Sequence, residues 1–302
     1  MKNLIAVGTL AALAAFSLAA QPQRGQQQGA PPPQGVGTPS ADPGAGFGPA
    51  QLTTFKVRDN FYMIRNGQSG NCSVLIADDG VVLIDNKFEM DHDGIMAKLR
   101  EITDKPVLYV INTHLHADHS GGNATKQALG AKVIAHENAR FQMAKTQTTG
   151  LPNLTLDDHM RLYHGEFVLD LYYLGRGHTD GDIVIHLPQQ QMVFMGDLFA
   201  TWDPYVTLVH YAAGGSLREW SRTLERALAL PFDTVIPGHG GATDRAHLET
   251  YRATLVRMQD MVREMVRARK SREEIQKMLE MEFGWSGFVT TLGLDGVIGE
   301  MQ

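Results

Sequence analysis

The segment Asn112-Thr113-His114-Leu115-His116-Ala117-Asp118-His119-Ser120-Gly121-Gly122-Asn123 places four metal-binding side chains within six positions. It follows directly on an apolar β-type run at residues 107–111. In an extended chain, residues two apart point the same way. His114 and His116 can therefore grip one cation from one side. Asp118 and His119 lie where the chain turns, and can face a second cation. Gly121 and Gly122 let the backbone turn tightly before the next element. Where no thiolate is present, imidazole nitrogen and carboxylate oxygen are ordinary ligands for zinc. One histidine is more often structural than a ligand, but four ligand-type residues at one strand end are not explained by packing.

Three further candidates fall at strand ends. His178 follows residues 171–174 through Gly175-Arg176-Gly177. Asp197 follows residues 192–195 through Gly196, and His239 follows residues 234–236 through Pro237-Gly238. Ligands flanked by glycine at one edge of a sheet are what a shared metal cleft needs.

This set resembles the His-x-His-x-Asp-His signature of the metallo-β-lactamase superfamily. Gly177-His178-Thr179, Gly196-Asp197 and Pro237-Gly238-His239-Gly240 are similar to its later motifs, in the same order, and the resemblance covers roughly residues 55–245. It implies an α/β fold, a four-layer αββα sandwich with the metals at one edge of its two sheets. It implies two zinc ions per chain, the first held by His114, His116 and His178, the second by Asp118, His119 and His239, with Asp197 bridging them. Iron or manganese would suit the same donors. Asp85, which ends the apolar run 81–84, resembles the superfamily's early aspartate and would orient the ligand loop from behind. Aspartate is also common in plain turns.

The implied mechanism is hydrolytic. Two zinc ions sharing a water lower its pKa to about 7. The resulting metal-bridging hydroxide would attack a carbonyl carbon, with Asp118 as the catalytic proton relay. No serine or cysteine nucleophile is required. Cys72 precedes every ligand in the chain, unlike the zinc β-lactamases that use a late cysteine. The all-histidine second site resembles the other lactamases, glyoxalase II and lactonases, and the bridging Asp197 leans toward the last two.

The elements that must position these residues read as short strands followed by mixed strands and helices. Residues 61–64, 73–77 and 81–84 are β-type, and Asp78-Asp79-Gly80 between the last two signals a hairpin. Residues 92–102 read as a helix, 107–111 as a strand, 123–129 as a helix and 132–135 as a strand. Runs 167–169, 171–174, 183–186, 192–195 and 234–236 read as further strands, and 217–228 as a helix. Leu248, Tyr251, Leu255, Met258 and Val262 recur at helical spacing, as a core-facing stripe does. Ser271 and Glu274 fit a capping box for a last short helix.

The remaining histidines take plainer roles. His136 reads as structural, His92, His159, His164 and His247 as surface residues, and His186 as one side chain of an alternating strand. His210 lies in the long loop after Asp197, with Trp202, Tyr205 and Tyr211. Binding residues favour loops on a rigid scaffold, so His210, Tyr205 and Phe88 are candidates for substrate contact.

The whole chain, 302 residues long, divides into three parts. Residues 1–20 have the positive start and short apolar run of an export signal, with small residues at Ser17, Ala19 and Ala20 for cleavage. The run is short for a membrane span, so no stable insertion is expected after cleavage. Residues 21–50 form a Gln, Pro, Gly and Ala tract with almost nothing to bury, a linker by composition. Residues 51–302 have the composition of one catalytic domain with C-terminal helices. The formal charge of −6 argues against nucleic-acid partners. The single cysteine, Cys72, cannot form an internal disulfide and reads as a buried, inert residue.

Together these features describe an exported, zinc-dependent hydrolase of a small carbonyl substrate, periplasmic or secreted. A β-lactam is the first expectation, because export places the enzyme where such compounds arrive. A lactone or a thioester, as for glyoxalase II, comes second, and an iron-dependent oxygenase on the same fold third. A non-catalytic relative would be expected to lose ligands, whereas all seven positions are filled. Oligomeric state is not encoded in any feature of the chain.

Overall fold

Residues 51–67, 69–201 and 207–302 are described by a computed structural model of the protein. The leader-type residues 1–20, the tract 21–50, Trp202 and Tyr205 lie outside the described residues.

Thirteen strands form two sheets among the described residues. The first sheet holds β1 (Thr53–Arg58), β2 (Phe61–Arg65), β3 (Cys72–Ile76), β4 (Val81–Ile84), β5 (Val107–Ile111), β6 (Lys132–His136) and β7 (Leu154–Leu156), in that spatial order. Strands β1 to β4 are antiparallel, and β4 to β7 run parallel. The hairpin at Asp78-Asp79-Gly80 is present, with Ile76 opposite Val81. The second sheet holds β8 (His159–His164), β9 (Phe167–Tyr172), β10 (Val184–Leu187), β11 (Met192–Gly196), β12 (Thr234–Pro237) and β13 (Thr243–Asp244), again side by side. Its one parallel pair is β11 with β12.

The helices are α1 (His92–Arg100), α2 (Ala117–Ser120), α3 (Asn123–Ala128), α4 (Glu137–Met143), α5 (Leu217–Leu228), α6 (Arg245–Arg267), α7 (Arg272–Phe283) and α8 (Gly287–Glu300). The period-two alternation of the strands distributes apolar side chains among three clusters. Along β4, Val82 and Ile84 join Leu169, Ile185 and Phe194 between the sheets, while Val81 and Leu83 pack with Ile95 and Leu99 of α1. Along β11, Met192 and Phe194 face the intersheet cluster, and Val193 and Met195 face Trp220, Leu255 and Leu279 of the C-terminal helices. Three clusters separate four layers, which is the αββα sandwich. Each fully buried Leu, Ile, Val or Phe contributes roughly 1.5–3 kcal/mol.

The stripe Leu248, Tyr251, Leu255, Met258 and Val262 is buried along α6, as its spacing requires. The capping box at Ser271 and Glu274 is formed. Two readings need correction. Residues 167–169 and 171–174 are not separate strands but the single strand β9, because Asp170 between them is satisfied in place by Arg161 (2.6 and 3.1 Å) and His159 (3.1 Å) on β8. The capped helix is also not the last, since α8 follows it. Glycine lowers the helix propensity of that segment. Packing of Val289, Leu294 and Val297 against the C-terminal cluster holds it instead.

Candidate metal centre

Strand β5 delivers the ligand segment to one edge of the sandwich. His116 keeps extended backbone (φ −62°, ψ 144°), and the chain then turns into the single turn of α2, which carries Asp118 and His119. His178 lies between β9 and β10, Asp197 follows β11, and His239 follows β12. All seven side chains meet there, in two groups: His114, His116, His178 and Asp197, then Asp118, His119 and His239. Within each group the donor atoms lie within 4.8 Å of one another.

In the first group, His116 Nδ1 is 3.1 Å from His114 Nε2 and 2.8 Å from His178 Nε2. Asp197 Oδ2 stands 3.9 Å from His114 Nε2 and 3.7 Å from His178 Nε2. In the second, His119 Nε2 and His239 Nε2 are 3.3 Å apart, and Asp118 Oδ2 is 3.5 and 3.3 Å from them. Asp197 faces this group too, with Oδ2 3.3 Å from His239 and Oδ1 3.2 Å from His119. The side chains of His114, His119, His178 and His239 are at most 7% exposed, against 22% for Asp118 and 15% for Asp197. The cluster therefore opens to solvent at its carboxylates and at His116, which is half-buried.

Supporting residues fix the rings from behind. Asp85 is buried, and its Oδ2 is 2.8 Å from His119 Nδ1. Its two oxygens also accept the Thr113 N–H and O–H, each at 2.8 Å, and Thr113 Oγ1 is 3.0 Å from His114 Nδ1. One carboxylate thus contacts His119 of the second group directly and His114 of the first through Thr113. Asp85 adopts φ +58°, a conformation that aspartate tolerates better than most residues. His178 Nδ1 donates to Leu208 O at 2.6 Å. His116 Nε2 meets His210 Nδ1 at 2.8 Å, so His210 borders the cluster. Phe88 is half-buried, with its backbone against Gly121 of the ligand segment.

Other supports have no motif to announce them. Asn86, Asn112 and Asn123 bond one another and hold His119 O and Gly122 N. Asn71 donates to Pro237 O and Gly240 O at 2.8 and 3.0 Å, securing the loop that carries His239. Gly70 N–H donates to Asp118 Oδ2 at 3.1 Å, and a Cβ at Gly70 would come within 2.4–2.8 Å of the His119 ring. Lys87, fully buried, clamps that turn by donating to Gly70 O (2.5 Å), Ser69 Oγ (2.9 Å) and Asn66 Oδ1 (3.3 Å). The contacts of Gly70, Asn71 and Lys87 span 17 to 169 residues of chain, beyond any local pattern. His164, read as a surface residue, is buried beneath Asp79 and Gly80. His136 is buried and structural, its Nε2 at 2.7 Å from Asp157 O. Cys72 is buried as expected, and burial pushes its thiol up to about 12.

The residues fit a pair of cations. Burial, then the neighbouring imidazoles, hold His114 and His116 well below the usual histidine range, the latter near 3, so both present neutral lone pairs. Asp197 Oδ1 is buried, and its 3.2 Å approach to His119 Nε2 does not have the angle of a normal hydrogen bond. Burial opposes charge on His239, yet Asp197 and Asp118 raise it to about 9. Neutral imidazoles on one side and a pocket that attracts positive charge on the other are what divalent-metal ligation by nitrogen and oxygen requires.

Residues 65–239 match the family model described as the metallo-beta-lactamase superfamily. The chain belongs to the metallo-beta-lactamase superfamily. It is accordingly a metal-dependent hydrolase. Among its relatives is the type 2 metallo-beta-lactamase of Bacillus cereus, 32% identical over 185 residues, which cover 59% of this chain and 70% of that protein. Another is the hydroxyacylglutathione hydrolase of Maricaulis maris (strain MCS10), 29% identical over 184 residues, covering 59% of this chain and 60% of that one. The solved metallo-beta-lactamase from Pontibacter korlensis superposes with a TM-score of 0.61 at 24% identity, over 68% of this chain and 99% of that one, and shares its fold. Helices α6 to α8 lie beyond the matched family segment. Among the described residues no helix is long and apolar enough to cross a membrane.

Proposed function

We propose that the protein is a binuclear zinc hydrolase of a small carbonyl substrate, with β-lactams as its first substrate class. His114, His116 and His178 would hold one zinc, Asp118, His119 and His239 the other, and Asp197 would touch both. The observation that carries this reading is Asp197, whose two oxygens lie 3.2–3.9 Å from imidazole nitrogens of both groups. Bound zinc supplies Lewis acidity and water activation near neutral pH. The protein supplies orientation. Asp85 and Thr113 lock His114 and His119, the buried imidazoles exclude water from behind, and the partly exposed Asp118 carboxylate would take up a proton from the solvent side. The β-lactam preference is supported by the B. cereus relative and by the export-type residues 1–20, which also support a periplasmic or secreted location.

A second reading, a lactone or thioester substrate, is favoured by the carboxylate at position 197 and by the hydroxyacylglutathione hydrolase relative. The test is hydrolysis of a chromogenic cephalosporin by zinc-loaded protein, beside a chelated sample. Fast, chelator-sensitive turnover is expected. No turnover by protein holding two zinc ions would reject the β-lactam reading, and a lactone and thioester panel would then decide the second.

A further inference from the structure

We infer that His210 is a positioning residue for His116, setting which ring nitrogen of that histidine carries the proton. The inference rests on the zinc-centre reading above. His116 Nδ1 is the atom that converges with His114 Nε2 and His178 Nε2, so it must be free of a proton to serve as a donor. In a neutral imidazole the proton then sits on Nε2, which needs an acceptor because the ring is largely desolvated. His210 Nδ1 lies 2.8 Å from it. The ring centroids are 5.0 Å apart and the planes incline by 26°. The rings therefore meet edge to edge, with the lone pair of one directed at the N–H of the other, rather than lying face to face.

The backbone around His210 is fixed as well. Its N–H donates to His178 O at 2.9 Å, and its carbonyl accepts from Ala213 N and Gly215 N, each at 3.0 Å. The loop is secured at Glu300 of α8, whose carboxylate accepts from Tyr211 Oη (2.8 Å), Ser216 Oγ and Arg218 N (3.1 Å). One short loop thus touches two ligands of the first group: the ring of His116 through His210, and the ring of His178 through Leu208 O. A metal-ligating histidine whose other nitrogen loses such a partner typically loses about 10- to 100-fold in metal affinity.

The test compares His210→Ala with His210→Asn, whose amide oxygen stands as many bonds from Cβ as the histidine Nδ1 does. Zinc affinity and stoichiometry are measured by competition with a chromophoric chelator, and the cobalt(II)-substituted proteins are compared by visible absorption. The expected result is that H210A binds one of its two zinc ions about 10- to 100-fold more weakly, with an altered cobalt spectrum, while H210N stays near wild type. Wild-type affinity in H210A, with only KM raised, would make His210 a substrate contact and overturn the proposal. Equal losses in both variants would overturn it in favour of loop packing. A wild-type protein that binds no zinc would overturn the zinc-centre reading and this proposal with it.

Discussion

The two halves of the metal centre are charged and supported differently. In the first, His114, His116 and His178 are imidazoles held below their ordinary range by desolvation and, after it, by neighbouring imidazoles, chiefly His119 for His114 and His178 for His116. Their outer nitrogens meet neutral partners: a threonine hydroxyl, a histidine and a backbone carbonyl. In the second, Asp197 and Asp118 raise His119 and His239 against burial, and the outer partner of His119 is the carboxylate of Asp85. The first half is a set of neutral donors awaiting a charge. The second is a balanced set of carboxylates and imidazolium ions, from which a cation would displace protons. Only Asp197 belongs to both, so the strongest way to break the distinction is to neutralise it.

Asp197→Asn keeps the volume beside Gly238 and removes the charge that both halves share. Hydrolysis is expected to fall to background, with fewer than two zinc ions retained per chain at limiting metal. Metal analysis beside an activity assay checks this, and a variant that keeps two zinc ions tightly would show that the halves are independent.

Gly70→Ala should separate the halves. The added methyl would sit 2.4–2.8 Å from the His119 ring, which is fully buried and held by Asp85. Overpacking of this kind costs about 1–3 kcal/mol. Because the three atoms nearest the added methyl all belong to His119, the variant is expected to hold one zinc in place of two and to unfold at lower temperature. Zinc titration with thermal melts tests it. Loss of both zinc ions would mean that the two halves assemble as one unit.

The same two halves differ in how much of them could be read from the chain. His114, His116, Asp118 and His119 lie within six positions, where the alternation of an extended chain aims the first two and the turn after them aims the others. His178, Asp197 and His239 each follow a legible strand and a glycine. The layers were legible for the same reason, since the period of two in β4 and β11 and the helical stripe of α6 each announce a buried face. What supports the ligands was not legible. Gly70 reaches Asp118 across 48 residues, Asn71 reaches Pro237 across 166, and nothing at either position encodes the partner. The place of His210 on a loop points toward substrate, and nothing in the chain announces that its Nδ1 faces a ring 94 positions away. Helix α8 was hidden by its glycines, and it matters because its Glu300 anchors that loop.

Lys87 gives the finest probe of the second half, because it stiffens the Gly70 turn without touching a ligand. Burial brings its ammonium down from 10.5 to about 8, outweighing the attraction of nearby acidic groups. The unfolded chain holds this proton up to 10.5, whereas the folded protein releases it near 8. Between those values the unfolded state binds more protons, so raising the pH favours folding. The burial penalty, on the order of 3 kcal/mol, is present in full below pH 8 and fades toward pH 10.5. Lys87→Met removes the titration. Denaturant unfolding of both proteins should give parallel stability curves from pH 6 to 7.5. Above pH 8 wild type should gain on the variant steadily, while the number of zinc ions bound at pH 7.5 stays at two in each. Curves that remain parallel through pH 10 would mean that the ammonium is as well stabilised by Gly70, Ser69 and Asn66 as it is by water. The turn behind Asp118 would then be held by a permanently charged clamp, and the charge asymmetry between the halves would extend one layer further from the metals.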